Sequence, residues 1–155
     1  MSDANGITAL LLDDDEYALE YLKAVLLERF PELEVETRLR PDPTGRFDLY
    51  FIDDDFEGVR LAGKLARKVR AQAPDAVVLA FSASLDQPTL KELLNAGCHG
   101  VCDKKVPTDL PAMLDAVERS IEAIRQERAE PQRNAAHLLS TLGGLFREWN
   151  RRLGS

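Results

Sequence analysis

Four predicted strands end in carboxylate, hydroxyl or ammonium side chains, and these residue types together can carry out phosphoryl transfer. Asp13 and Asp14 follow the first apolar run, Asp53 and Ser82 end two later runs, and Lys104 follows the last. The carboxyl ends of parallel strands share one edge of an open sheet, where ligands bind at the switch in strand order. We therefore expect these five side chains to converge.

The five side chains suit one another chemically. Clustered carboxylates repel, and without a counter-charge they raise one another's pKa. A hard divalent cation relieves that repulsion, and Mg²⁺ suits a site of a few carboxylates, a backbone carbonyl and waters. The cation and the Lys104 ammonium can neutralise a phosphoryl group in transfer. Asp53 is the expected nucleophile, giving an acyl phosphate to which Ser82 can donate a hydrogen bond.

Short apolar runs alternate with longer amphipathic stretches, which predicts strand–helix units around a parallel sheet. Strands are predicted at residues 8–12, 33–37, 48–52, 76–81 and 100–102. Helices are predicted around 17–26 and over 59–71, 87–96 and 107–127, with a further amphipathic helix at 136–153. The apolar stripe of that last helix is Leu138, Leu142, Leu145 and Trp149.

Composition and charge exclude several classes of function. The net charge is −7 and the pI is near 4.9, whereas a general nucleic-acid binder needs a basic face. Residues from Pro131 onward carry +3 and the rest about −10, which suggests a metal site in the body and a partner contact in the tail. The chain shows no secretory signal or membrane span, and its two cysteines are too few for a disulfide scaffold. We expect a cytoplasmic protein.

Several stretches in order resemble the CheY-like receiver domain of two-component signalling. They are LLLDDDEYAL, FDLYFID, VVLAFSAS and AGCHGVCDK, and the likeness covers residues 6–125. The resemblance implies a flavodoxin-like, doubly wound five-stranded parallel sheet of order 2-1-3-4-5. It also implies roles for six residues: the metal ligands Asp13 and Asp14, the phosphoacceptor and metal ligand Asp53, a metal-binding carbonyl at Asp55, the hydroxyl residue Ser82 and the lysine Lys104.

The sequence departs from the family pattern at several places. Only about ten residues, rich in proline, separate the second and third strands, so the second helix is expected to be reduced or missing. The loop after Asp53 is short and lacks the usual proline. Val101 stands where the family has Tyr or Phe, and Lys105 where it has proline. We expect a receiver domain at 6–128, followed by a linker and a C-terminal amphipathic helix at 129–155.

The resemblance implies a response-regulator function. Asp53 takes a phosphoryl group from a histidine kinase or phosphotransfer protein with Mg²⁺, and the domain signals by contact with a downstream protein. No direct DNA binding and no membrane partner are expected, and a homodimer is possible. The chain is expected to act as a phosphoacceptor with at most slow self-dephosphorylation, and not as an enzyme.

Two alternatives stay open. A pseudo-receiver, which binds a partner without being phosphorylated, fits the short loop and Val101. A haloacid-dehalogenase-like phosphatase fits Asp13 and Asp15 with Ser82 and Lys104, but it also needs an acidic pair on a strand after the lysine.

Several other residues are expected to have ordinary structural roles. Asp15, Asp54 and Asp55 are expected to face solvent. Cys98, His99 and Cys102 do not have a standard zinc spacing and are expected to be buried thiols and a histidine with hydrogen-bond partners. His137 is expected to belong to a packed helix and not to be phosphorylated.

Overall fold

The predicted alternation of strands and helices is present in the computed structural model, which describes residues 6–129, 142–147 and 149–151. At most of the strand ends, the observed boundary differs from the predicted one by one residue. The ladder hydrogen bonds, and not the length of the apolar run, determine where a strand begins and ends. In chain order the elements are β1 (Thr8–Leu12), α1 (Glu16–Arg29), β2 (Glu34–Arg38), β3 (Leu49–Asp53), β4 (Asp55–Phe56), β5 (Val59–Arg60), α2 (Ala62–Gln72), β6 (Val77–Ser82), α3 (Gln87–Asn95), β7 (Gly100–Asp103) and α4 (Asp109–Ala129).

Five of these strands form one parallel sheet in the order β2-β1-β3-β6-β7. The chain runs from β1 outward to β2 and then crosses to β3 on the other side of β1, so the strand order reverses between β1 and β3. Such a reversal opens a crevice at the carboxyl ends of the two strands, which is where an open α/β sheet binds ligands. This is the predicted doubly wound, flavodoxin-like arrangement.

Helices cover both faces of the sheet, which explains why the inner strands are continuous apolar runs. On one face, Leu11 and Phe51 pack with residues of α1 and α4. On the other face, Leu10 and Ile52 pack with residues of α2 and α3. Tyr50 is completely buried in this second layer, where its hydroxyl donates a hydrogen bond to the Gly45 carbonyl at 2.8 Å. The two layers hold the strand ends in fixed register.

The second helix of the family pattern is missing, as expected. Residues 39–48 are all described and contain bends but no helix. The Arg38 guanidinium holds this connection in place by donating to the carbonyls of Asp42 at 2.8 Å and Thr44 at 2.7 Å. It also lies over the Phe47 ring at 5.6 Å. Arg38 thus helps to hold a connection that contains no helix, together with the Gln72 amide, which donates to the Pro43 carbonyl at 2.5 Å.

The helix predicted over 59–71 begins too early, and this part of the prediction is wrong. Residues 55–60 form an antiparallel hairpin, in which Asp55 pairs with Arg60 and Phe56 with Val59. Glu57 and Gly58 form the turn with φ of 53° and 84°. Positive φ at both central residues is the mark of the type I′ turn, whose twist matches that of the flanking strands. α2 begins only after this hairpin, at Ala62.

A C-terminal segment, residues 142–147 and 149–151, is helical and packs on the sheet face covered by α1 and α4. Its buried residues are Leu142, Phe146 and Trp149. Leu138, His137 and the start of the predicted helix lie in 130–141, outside the described residues. α4 extends to Ala129, and the division of the chain near residue 128 stays a prediction.

Replacing Glu57 with Asn should stabilise the protein. Glu57 has its side chain exposed and its backbone in the left-handed region, which Asn adopts more readily. We expect Glu57→Asn to raise the free energy of unfolding by about 0.5–1 kcal/mol, as measured by urea denaturation. The matched variant Glu57→Val should lower it. Equal stability of both variants would show that the turn has another conformation in solution.

Candidate functional site

Three of the predicted carboxylates meet at the carboxyl edge of the sheet. Asp13 and Asp14 follow β1 and Asp53 ends β3, and one oxygen from each lies within 4.8 Å of the others. Asp13 and Asp53 are buried, whereas Asp14 is exposed. The strand register brings them together, since Leu12 pairs with Ile52 in the parallel ladder.

Lys104 places its ammonium between the two buried carboxylates. It forms an ion pair with Asp53 Oδ1 and a longer contact of 3.4 Å with Asp13 Oδ2. Its backbone N–H donates to the Ser82 carbonyl at 2.8 Å, which fixes the residue at the end of β7. The lysine predicted from sequence therefore reaches the predicted phosphoacceptor.

Burial and charge act against each other in this cluster. Burial raises the pKa of both Asp13 and Asp53, since a carboxylate removed from water is disfavoured. Hydrogen bonds oppose this rise, from the Asp15 backbone to Asp13 and from Lys104 to Asp53. Burial alone would lower the pKa of Lys104, but the neighbouring carboxylates outweigh it and raise that pKa. The ammonium therefore stays charged.

Ser82 lies beside this cluster at the end of β6. Phe81 pairs with Asp53 in the ladder, so Ser82 follows one residue beyond the predicted nucleophile. The side chain is buried, and its Oγ accepts a hydrogen bond from the Ser84 N–H at 3.1 Å. The hydroxyl hydrogen can still donate a hydrogen bond to a group bound in the crevice.

The β4–β5 hairpin contacts two of the carboxylates through backbone N–H groups. The N–H of Asp55 donates to Asp53 Oδ2 at 3.0 Å, and the N–H of Glu57 donates to Asp14 Oδ2 at 2.8 Å. The Asp55 side chain accepts from the Gly58 N–H at 2.7 Å and belongs to the turn. The segment after Asp53 is therefore an ordered part of the site and not only a shortened loop.

Asp54 is buried, and the expectation that it faces solvent is wrong. Its side chain is only 7% exposed and accepts hydrogen bonds from the Ala62 N–H and from Arg60 Nε, both at 3.1 Å. Asp54 thereby joins the hairpin to the start of α2. Leu61 at the N-cap has no side-chain oxygen, so the Asp54 carboxylate accepts the Ala62 N–H in its place. Asp15 is exposed and caps α1 by accepting from the Tyr17 N–H at 3.0 Å.

A cavity of about 410 Å³ opens beside the carboxylate cluster. Asp13, Asp53 and Lys104 line its polar end, and Phe51 and Leu110 are among its apolar lining residues. Exposed Tyr21 of α1 also lines this cavity. A side chain of another protein can therefore approach Asp53 between α1 and the start of α4.

Comparisons with known proteins give matches in structure only. No protein-family model matches the chain, and no curated protein sequence matches it. A CheY-like response regulator receiver domain protein from Methanospirillum hungatei superposes with a TM-score of 0.64 at 22% identity, covering 78% of this chain and 98% of that one. The response regulator TrrA from Thermotoga maritima, solved with Mg²⁺–BeF, gives a TM-score of 0.59 at 20% identity and coverages of 73% and 97%.

The chain has the receiver-domain fold. DrrB from Thermotoga maritima, an OmpR/PhoB homolog, shares it with a TM-score of 0.62 at 19% identity. That match covers 75% of this chain and 52% of DrrB, so the chain spans about half of that response regulator. Within the described residues, no helix of this receiver fold is long and apolar enough to cross a membrane.

The donor set of the receiver fold's crevice fits a hard divalent cation. Among the described residues, Asp13, Asp14 and Asp53 are the one group whose ligand atoms come close enough to share a metal ion. Three carboxylates face one ammonium, which leaves a net negative charge at the site. Carboxylate oxygens at this spacing are ligands that Mg²⁺ accepts.

Cys98, His99 and Cys102 do not belong to the group of ligand atoms that comes close enough to share a metal ion within the described part of the chain. Cys98 and Cys102 are buried free thiols, and burial raises the pKa of Cys98 to about 12. His99 Nδ1 accepts from the Val78 N–H at 3.2 Å and lies 2.8 Å from the Arg70 guanidinium. Burial, with a smaller effect of Arg70, lowers the pKa of His99 to about 4. The expectation of buried thiols and a histidine with hydrogen-bond partners is consistent with these contacts.

His99 should make the protein sensitive to mild acid. Its pKa rises from about 4 when folded to about 6.5 when unfolded, so the unfolded chain binds the extra proton and stability falls as pH drops through this window. Near pH 5, protonation of His99 in the unfolded chain lowers the free energy of unfolding by about 2 kcal/mol.

His99→Gln keeps a hydrogen-bond acceptor and removes the titration. Urea denaturation of both proteins at neutral pH and near pH 5 isolates this group, because Asp13 and Asp53 contribute equally to both. Between neutral pH and pH 5, we expect the free energy of unfolding to fall by about 2 kcal/mol less in His99→Gln than in the wild type. Equal losses would show that the pKa of His99 is the same in the folded and the unfolded protein.

Proposed function

We propose that the chain is a response-regulator receiver that takes a phosphoryl group on Asp53. The donor is the phosphohistidine of a histidine kinase or phosphotransfer protein, and the phosphorylated domain signals through contact with a downstream protein. The observation that carries this proposal is the Asp53–Lys104 ion pair beside Asp13 at the carboxyl edge of the sheet. The receiver fold supports it.

Mg²⁺ is the proposed cofactor, held by Asp13, Asp14 and Asp53 and by the backbone carbonyl of Asp55. When bound, it neutralises the oxygens of the incoming phosphoryl group and relieves the repulsion among the carboxylates. Asp14 is suited to this role because it is exposed and offers its carboxylate from the open side of the crevice. The hairpin N–H groups hold Asp14 and Asp53 in position for it.

Asp53 is the proposed nucleophile. One of its carboxylate oxygens attacks phosphorus, the bond from phosphorus to the donor nitrogen breaks, and the imidazole departs with the electron pair. Lys104 Nζ already touches Asp53 and balances the charge on the transferred group. The Ser82 hydroxyl donates a hydrogen bond to one phosphoryl oxygen. The Asp55 N–H steadies the other Asp53 oxygen during the attack.

The cavity between α1 and the start of α4 is the proposed entry for the donor side chain. Its apolar lining accepts an imidazole ring, and its polar end presents Asp53. We propose a receiver unit of residues 6–128, with the remainder forming a linker and a C-terminal helix. A histidine kinase as donor implies that the chain works in the cytoplasm, and two free thiols agree with that compartment.

A haloacid-dehalogenase-like phosphatase is not favoured by the contacts at the site. The carboxylate of Asp15 caps α1 and is committed to the Tyr17 N–H. Among the described residues after Lys104, Asp109 lies in α4 and accepts from the Asp103 N–H, and Asp115 pairs with Arg29. These contacts support the proposal of a phosphoacceptor with slow self-dephosphorylation at most.

A pseudo-receiver is the second candidate, favoured by one observation. Hairpin N–H groups and Lys104 occupy oxygens of Asp14 and Asp53 that phosphoryl transfer needs. If these contacts do not yield, the domain binds partners without being phosphorylated. Phosphate uptake separates the two candidates.

Acetyl phosphate with Mg²⁺ should phosphorylate the full chain at Asp53. Intact mass spectrometry should show the gain of one phosphoryl group, dependent on Mg²⁺ and lost in Asp53→Asn. Asp15→Asn is the matched control, since Asn also caps helices and Asp15 lies outside the cluster. Uptake in Asp53→Asn would place the acceptor elsewhere, and no uptake by the folded wild type would favour the pseudo-receiver.

Mg²⁺ should stabilise the protein through the carboxylate cluster. After treatment with a chelator, Mg²⁺ at ten times its dissociation constant should raise the free energy of unfolding by about 1.4 kcal/mol. Asp14→Asn keeps an oxygen that accepts the Glu57 N–H but loses the charge, so it should abolish most of the gain. Thermal unfolding measures both. The same gain in wild type and variant would contradict a site that includes Asp14.

A further inference from the structure

The cavity between α1 and the start of α4 is larger than the voids that side-chain packing leaves. Its volume is about 410 Å³, whereas spaces larger than a water molecule are few in a protein interior. Clefts of roughly 300–1,000 Å³ that are mostly apolar and carry a few polar groups are typical of small-molecule sites. A single imidazole ring fills only part of this space. The cavity therefore has room for a larger organic molecule.

The lining of the cavity is apolar over most of its surface. Two small residues, Ala18 of α1 and Cys102 of β7, line the space and leave it open. The larger lining residues include one leucine of α1 and three side chains from neighbouring strands of the sheet, Leu19, Leu11, Phe51 and Phe81. A ring system that enters the cavity is thus removed from water on several sides, which favours its binding.

The mouth of the cavity carries exposed apolar side chains. Tyr21 of α1 is 63% exposed and Val106 is 39% exposed, and both line the cavity. Apolar side chains that stay exposed at the rim of a cleft are typical of ligand-binding grooves. Tyrosine also stacks on aromatic rings while its hydroxyl stays in water. A ligand that projects from the cavity therefore meets an aromatic side chain at the mouth.

The polar end of the cavity favours a positively charged group. Its charged lining residues are Asp13, Asp53, Asp103 and Lys104, so the carboxylates outnumber the ammonium by three to one. Asp13 Oδ2 lies 3.4 Å from the Lys104 ammonium, and a carboxylate oxygen can accept from a second donor as well. An anionic ligand would be repelled at this end, whereas an ammonium group would gain both attraction and a hydrogen-bond acceptor.

We propose that this cavity is a binding site for a small aromatic amine. The ammonium group of the ligand lies at Asp13, and its ring system lies among Leu19, Phe51 and Tyr21. The apolar volume selects the ring, and the excess of carboxylates selects the charge of the head group. This site goes beyond the proposed function, because binding of the amine involves no phosphoryl group.

Tryptamine is a suitable probe, because it joins an aromatic ring system to an ammonium group. Equilibrium dialysis of the full chain, with a chelator present so that no divalent cation competes for the carboxylates, measures its affinity. We expect one site with a dissociation constant below about 1 mM. Indole-3-propionate has the same ring and a similar chain with a carboxylate, and it should bind about tenfold more weakly. Absence of tryptamine binding, or equal affinity for the two probes, would overturn the proposal.

A matched pair of variants on α1 locates the ring of the probe. Ala18→Phe places a side chain in the cavity and should weaken tryptamine binding about tenfold, because the space that the indole needs is then occupied. Ala24→Phe is the control, since Ala24 is exposed on the same helix and does not line the cavity. It should bind tryptamine as the wild type does. Far-ultraviolet circular dichroism checks that both variants are folded.

A second pair locates the ammonium group. Asp13→Asn removes one charge and keeps an oxygen that accepts from the Asp15 N–H, so it should weaken tryptamine binding about tenfold without weakening that of indole-3-propionate. Asp15→Asn changes an exposed carboxylate outside the cavity and should leave both affinities unchanged. Wild-type affinity for tryptamine in Ala18→Phe and in Asp13→Asn would place the amine elsewhere on the protein and overturn the site.

Discussion

The burial of two carboxylates side by side is the constraint on which the rest of this structure depends. Asp13 and Asp53 lie at the ends of adjacent inner strands, where burial disfavours their charge. The fold tolerates them because Lys104 arrives from β7, and because backbone N–H groups of Asp15 and Asp55 donate to them. A site held together by opposed charges responds strongly to any change of charge, whether from a cation or a phosphoryl group.

The positions of these groups follow from the strand order. β1 and β3 are neighbours at the reversal of the sheet, and β6 and β7 continue from β3, so four strand ends meet along one edge. The β4–β5 hairpin then lies against the site, where its N–H groups donate to Asp53 and Asp14. Asp54 makes this possible, because its buried carboxylate anchors the hairpin through Arg60 and the start of α2. Adjacent residues thus have opposite tasks: Asp53 faces the crevice and Asp54 supports the wall.

The strand ends could be predicted from sequence, and the contacts between distant side chains could not. Asp13, Asp53, Ser82 and Lys104 each follow an apolar run, and the geometry of parallel sheets brings such positions together. The β4–β5 hairpin could not be predicted in this way, because Glu57 in its turn is not a residue type that usually adopts a left-handed backbone conformation. The burial of Asp54 depends on Arg60, and the seat of Trp149 depends on Gly100, 49 positions earlier in the chain. Contacts of this kind are decided by packing and leave no local pattern.

The two edges of the sheet are protected in different ways. β2 carries the charged residues Glu34, Glu36 and Arg38, which oppose pairing of its outer side with another strand. β7 is protected by the C-terminal segment, which packs on Gly100 and donates to the His99 carbonyl. Both edges of the sheet are therefore closed to strand pairing with another molecule. Growth of a fibre by strand pairing needs an open edge, and neither outer strand of this sheet offers one.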